Sequence, residues 1–150
     1  MDIYVDTSVF GGYYDDEFSE WTRKLFYEFE IGSHNAIISD LTIQELEQAP
    51  EIVFGLLEKI PERYRENIFV DDEVIDLAHH YIRENVVSEN FYNDALHIAL
   101  ATRHRSDVLV SWNFRHIVNL NKIRQYNAVN LKQGYHMIEI RSPREVLHER

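Results

Sequence analysis

The feature that most constrains this chain is the spacing of its short apolar runs. "IYV" at 3–5, "AIIS" at 36–39, "NIFV" at 67–70, "DVLVSW" at 107–112 and "HMIEI" at 136–140 each suit one buried strand and are too short for a helix. Helical spacing fills the intervals. Phe18, Trp21, Leu25, Phe26 and Phe29 make one apolar stripe, with Gly32 as its stop. A helix from about Thr42 runs to Pro50, and a second covers about 51–59 before Pro61. Val74, Leu77, Ala78, Tyr81 and Ile82 follow the Asp71-Asp72 start signal. Residues 91–105 form a further helix, and Ile117, Leu120 and Ile123 mark the last.

Strands that alternate with helices predict an α/β layer structure around a mostly parallel five-stranded sheet. Right-handed crossovers then place helices on both faces. The first run lacks a polar face, so it belongs at the centre. No repeat and no Pro/Gly/Ser-rich linker divides residues 1–150, which read as one domain.

Composition narrows the classes. There is no cysteine, hence no disulfide framework and no thiolate metal site. No apolar run approaches the length of a membrane span. The first residues lack the pattern of a signal peptide, so a cytoplasmic protein is the simplest expectation. A net charge of −11, from 26 acidic and 15 basic residues, argues against binding nucleic acid mainly by phosphate neutralisation. It leaves open an enzyme that cuts nucleic acid with the help of divalent cations.

In a parallel sheet, strand C-termini and helix N-termini share one edge, and ligands bind along it. Asp6 leaves the first strand on that edge. Glu45 lies in the first turn after the second strand, Asp94 near the start of the helix that leads into the fourth, and Asn113 at the exit of the fourth. Asp2 lies about 13 Å from Asp6 along an extended strand, and Asp107 about 20 Å from Asn113, so both belong to the opposite edge. Clustered carboxylates repel or recruit a cation. Oxygen ligands with one amide suit Mg²⁺ or Mn²⁺ rather than zinc. Metal-assisted phosphodiester hydrolysis is the chemistry such a set serves.

Each residue also has a purely local reading. Asp6 suits a turn with Thr7 and Ser8. Thr42 and Glu45 have capping-box spacing. Asp94 complements a helix dipole, and Asn113 suits a helix cap. His97, one turn after Asp94, reads as a packed or surface histidine, with support of the site as the alternative. Arg115 is placed to meet a phosphate. Trp112 could stack on a base, although packing is the commoner use of a strand-end tryptophan.

Taken in order, "VDTSVF" at 5–10, "LTIQEL" at 41–46, "NDALHIALA" at 93–101 and "DVLVSWNFRHI" at 107–117 resemble the PIN-domain nucleases, and among them the VapC-like toxins of toxin–antitoxin systems. The closing "IEIRSPREVL" at 138–147 is similar to the family's last strand. The resemblance implies a three-layer α/β/α fold with strand order 3-2-1-4-5. It also implies a Mg²⁺- or Mn²⁺-dependent endoribonuclease whose metal ligands match Asp6, Glu45 and Asp94. Ser8 or Thr7 would assist. Asn113 falls where the family commonly has a fourth acid, which removes one negative charge. The toxin reading further implies a homodimer and an antitoxin partner.

Two other classes compete with the nuclease. Asn113 motivates a PIN-fold interaction or RNA-binding module with weak or absent catalysis. Phosphotransfer at Asp6 is disfavoured, because the second acid usual two residues later is here Ser8.

Overall fold

The computed structural model describes residues 1–148. Its sheet has the order β3-β2-β1-β4-β5, and every neighbouring pair is parallel. The strands are β1 (Asp2–Val5), β2 (Asn35–Ser39), β3 (Arg65–Ile68), β4 (Val108–Val110) and β5 (Ile140–Arg141). The expected α/β/α architecture and strand order are present.

Alternation across the central strands builds two separate cores. Tyr4, Ile37, Leu109 and Ile140 point to one side, where α5 (Asp72–Arg83), α6 (Tyr92–Arg103) and α7 (Leu120–Lys132) cover them. Ile3, Val5, Ala36, Ile38, Val108 and Val110 point to the other, against α1 (Thr7–Gly12) and α2 (Ser19–Glu30). The α6 helix is buried continuously from Ala95 to Thr102, because its apolar residues go all round rather than along one stripe. The remaining helices are α3 (Asp40–Glu47), α4 (Glu51–Phe54) and α8 (Pro143–His148).

The structure differs from the sequence reading at several element boundaries, and the fourth strand is shortened from 107–112 to 108–110. The third strand occupies 65–68 rather than 67–70; Ser39, the last residue of β2, pairs with Ile68, and Phe69 beyond it is exposed. The fifth occupies 140–141 rather than 136–140. Both backbone polar groups of Ile138 are taken by the Asn127 side chain, at 2.8 and 3.1 Å, so that residue leaves the ladder. The segment 51–59 is one turn of α-helix followed by a 3₁₀ turn over Gly55–Lys59. Gly11-Gly12 ends α1, and Gly12 leaves room for the Trp112 indole.

Candidate active site

The Asp6 amide bonds to the Val110 carbonyl at 3.0 Å, so the sheet ladder holds this residue at the exit of β1. Its backbone starts α1, yet its carboxylate caps nothing. The turn role is therefore insufficient to explain a carboxylate residue that is only 5 % exposed. Instead Oδ2 accepts hydrogen bonds from Ser8 Oγ at 2.6 Å and Ser111 Oγ at 2.8 Å. The Trp112 amide donates to Ser8 Oγ at 2.9 Å, and the Asn113 amide to Ser111 Oγ at 2.9 Å. The exit of β4 is thereby tied to the exit of β1.

Glu45 does not close a capping box. The α3 helix begins earlier, at Asp40, and Ser39 caps it by accepting from the Thr42 amide. Freed from that role, Glu45 Oε1 accepts from Thr7 Oγ1 at 2.7 Å and from His97 Nε2 at 2.6 Å. Asn93 Nδ2 reaches Oε2 at 3.5 Å. Burial opposes ionisation of Glu45, but the hydrogen bond and charge of His97 and the bonds from Thr7 and Asn93 outweigh it, and the carboxyl lies below its usual range.

Asp94 is the least compensated of the three acids. Burial, then the charge of Asp6 and more weakly that of Glu45, push it up to about 6, against the opposing charge of His97 and a hydrogen bond with Asn113. It lines an open cavity of about 420 Å³ whose other walls are residues 89–93. Asn113 Oδ1 accepts from the Arg115 and His116 amides at 3.2 and 3.0 Å and so caps the turn after β4. The next helix, α7, has its own cap in Asn119. Arg115 is exposed in that turn.

The group that sequence reading set aside is His97. It is 1 % exposed, with Nε2 between Glu45 Oε1 at 2.6 Å and Asp6 Oδ1 at 3.5 Å. Nδ1 meets the Tyr4 hydroxyl at 2.7 Å, and that hydroxyl meets Ser39 Oγ at 2.8 Å. Burial disfavours the imidazolium, but the charges of Asp6, Glu45 and Asp94 and the Glu45 bond together raise its pKa. Ser111 was missed as well. The sole sequence hint was a hydroxyl one residue before Trp112 at a strand exit.

The edge therefore places Asp6 and Glu45 against one imidazole, with Asp94 within reach of their charges and Thr7, Ser8, Ser111 and Asn113 bonded to these acids. All the acceptors are hard oxygens, a donor set suited to Mg²⁺ or Mn²⁺. Among the described residues, no group of three or more His, Cys, Asp and Glu side chains is arranged to hold a metal ion. A Mg²⁺ site needs fewer, since this ion commonly takes one or two carboxylates and keeps several waters. Asp6, Glu45 and Asp94 offer carboxylates of that chemistry along this edge.

The chain matches no family model and no curated protein. Among solved structures it is similar to the toxin VapC20 of Mycobacterium tuberculosis, described as a sarcin-ricin loop cleaving toxin. The TM-score is 0.59 with 12 % identity, over 91 % of this chain and 98 % of that one. At that identity the likeness concerns the fold, and the fold is PIN-like. Among the described residues no helix is long and apolar enough to cross a membrane.

Proposed function

We propose that this protein is a Mg²⁺- or Mn²⁺-dependent endoribonuclease of the VapC-like toxin type. The observation that carries the reading is the joining of Asp6 and Glu45, through Ser8, Ser111, Thr7 and His97, on the sheet edge where parallel α/β proteins bind ligands. Asp6, Asp94 and Glu45 would hold the cation, directly or through water. When bound, the cation would neutralise phosphoryl charge and acidify a coordinated water. The chain's own groups prepare that role. Ser8 and Ser111 orient Asp6, Thr7 and His97 orient Glu45, and Asn113 hydrogen-bonds Asp94. Arg115, exposed two residues past Asn113, is placed to meet a substrate phosphate. With 26 acidic residues against 15 basic, the surface supplies little general affinity for RNA, so capture depends on the cation and such local groups. A cytoplasmic homodimer with an antitoxin partner belongs to the same reading.

The test is cleavage of short single-stranded RNA with Mn²⁺ by the parent, Asp6→Asn and Asp94→Asn. Loss of cleavage in both variants supports the assignment, and equal cleavage by all three defeats it. A second reading, an inert PIN-fold interaction module, is favoured by the neutral Asn113 and by the lack of a three-acid metal group among the described residues. A folded parent that neither binds Mn²⁺ nor cuts RNA would establish it.

A further inference from the structure

The turn that leaves β4 carries aromatic rings that the carboxylate chemistry does not use. Trp112 is packed rather than free. It is 9 % exposed, its Nε1 donates to Thr22 Oγ1 at 2.8 Å, and Phe18 stacks on it with centroids 4.3 Å apart. Phe114 is the open ring: it is 47 % exposed and lies against Trp112 edge-on at 6.0 Å and against Phe18 at 6.3 Å. The three rings face a cavity of about 380 Å³ that Glu17, Trp21 and Arg144 help to wall.

The backbone ties this cavity to the acidic site. The Trp112 amide donates to Ser8 Oγ and the Asn113 amide to Ser111 Oγ, and both hydroxyls donate to Asp6 Oδ2. By either route two hydrogen bonds link the turn that bears Phe114 to the Asp6 carboxylate.

Charge indicates what fits there. Arg144 lines the cavity, with its guanidinium 5.8 Å from the Trp21 ring centre, and Arg115 follows Phe114 directly. Both are exposed, and among the described residues the arginine ion pairs involve Arg103 and Arg141 instead. Open rings between cations suit a flat aromatic group joined to an anion, which describes a nucleotide. Glu17 repels phosphate but accepts from a base amine. Stacking does not depend on net charge, so it supplies affinity that a chain of net charge −11 otherwise lacks. A base inside a duplex already has neighbours on its faces, and only a splayed-out base reaches such a ring.

We infer that Phe114, backed by Phe18 and flanked by Arg115 and Arg144, is a stacking shelf for an unpaired nucleobase, so that the RNA is single-stranded beside the strand-exit edge. This deepens the ribonuclease reading, on which it rests for the fate of the bound strand. Holding the base requires no divalent cation.

The experiment is binding of single-stranded oligoadenylate to the whole protein in EDTA. Trp21 and Trp112, the chain's two tryptophans, both wall the cavity, so quenching of their fluorescence reads occupancy. The parent is quenched. Phe114→Leu, which keeps apolar bulk without the ring, weakens binding by about tenfold or more, the scale of one stacked base. Phe114→Tyr binds as the parent does. Tyr27→Ala removes an exposed ring towards the other end of α2 and changes affinity by less than about twofold. Annealing the strand to oligouridylate removes the affinity that depends on Phe114. The inference is overturned if Phe114→Leu binds as tightly as the parent, or if oligoadenylate leaves the parent unquenched. Binding that depends on Phe114 in a parent that cuts no RNA with Mn²⁺ defeats the nuclease reading and leaves the shelf standing.

Discussion

His97 Nε2 and Glu45 Oε1 lie 2.6 Å apart, closer than any other pair of charged groups in the candidate site. The contact joins the middle of α6 to α3, the helix that follows β2. It turns a carboxylate and an imidazole, each costly to bury alone, into a satisfied pair. Asp94, less than one turn before His97 on α6, has no such ion pair among the described residues, and the first prediction follows from that contrast.

Asp94 ionises near pH 6 in the folded protein, against an ordinary value of 3.8. Between those values the folded chain holds a proton that the unfolded chain has released. Ionising Asp94 therefore lowers stability as pH rises from about 4 through about 6, and the loss persists above that. Without added metal, Asp94→Asn should melt at a higher temperature than the parent at pH 7, and the gap should close towards pH 4. Melting curves at the two pH values check this. A variant less stable than its parent at pH 7 would refute it.

Tyr4→Phe removes a buried hydroxyl that serves His97 and Ser39 together. The expected loss of stability is about 1–3 kcal/mol, because buried partners are left unsatisfied. Urea denaturation measures it. A change below about 0.5 kcal/mol would mean that the Ser39–Tyr4–His97 chain contributes little.

Gly12 sits where a Cβ would meet the Trp112 ring at 2.7 Å and Thr22 Oγ1 at 2.9 Å. Those two side chains hydrogen-bond each other at 2.8 Å, so neither yields freely. Gly12→Ala should destabilise by about 1–3 kcal/mol, the usual cost of overpacking. Thermal denaturation showing a stability equal to the parent's would contradict the packing described for this corner.

The legibility of this chain in its sequence follows burial. The runs of β1, β2 and β4 are apolar on both faces because helices cover both sides of the sheet centre, and that leaves a direct signal. At the margins the signal misleads. Phe69 and Met137 look like strand residues but are exposed, and an Asn127 side chain displaces Ile138 from the ladder. The site divides in the same way. Asp6, Glu45 and Asp94 have addresses on the sheet edge that topology alone provides. Partnership has no address: His97 looks like one polar residue in an apolar helix, and nothing in the one-dimensional pattern shows that β1 supplies Tyr4 beneath it. Glu45 illustrates the limit well, since its spacing from Thr42 matched a cap that Ser39 in fact provides.

The central claim is that the strand-exit edge, and not acidity in general, carries the activity. Asp2 offers the control, since it lies at the opposite end of β1 and its amide bonds the Asp107 carboxylate at 2.7 Å. The most direct measurement is the initial rate of RNA cleavage with Mn²⁺ for the parent, Asp94→Asn and Asp2→Asn at equal folded concentration. The account predicts that Asp94→Asn falls by about a hundredfold or more, the scale of losing a main electrostatic contributor, while Asp2→Asn stays within about twofold of the parent, as for a surface charge outside the site. Cleavage that survives Asp94→Asn, or that falls equally in both variants, would contradict it.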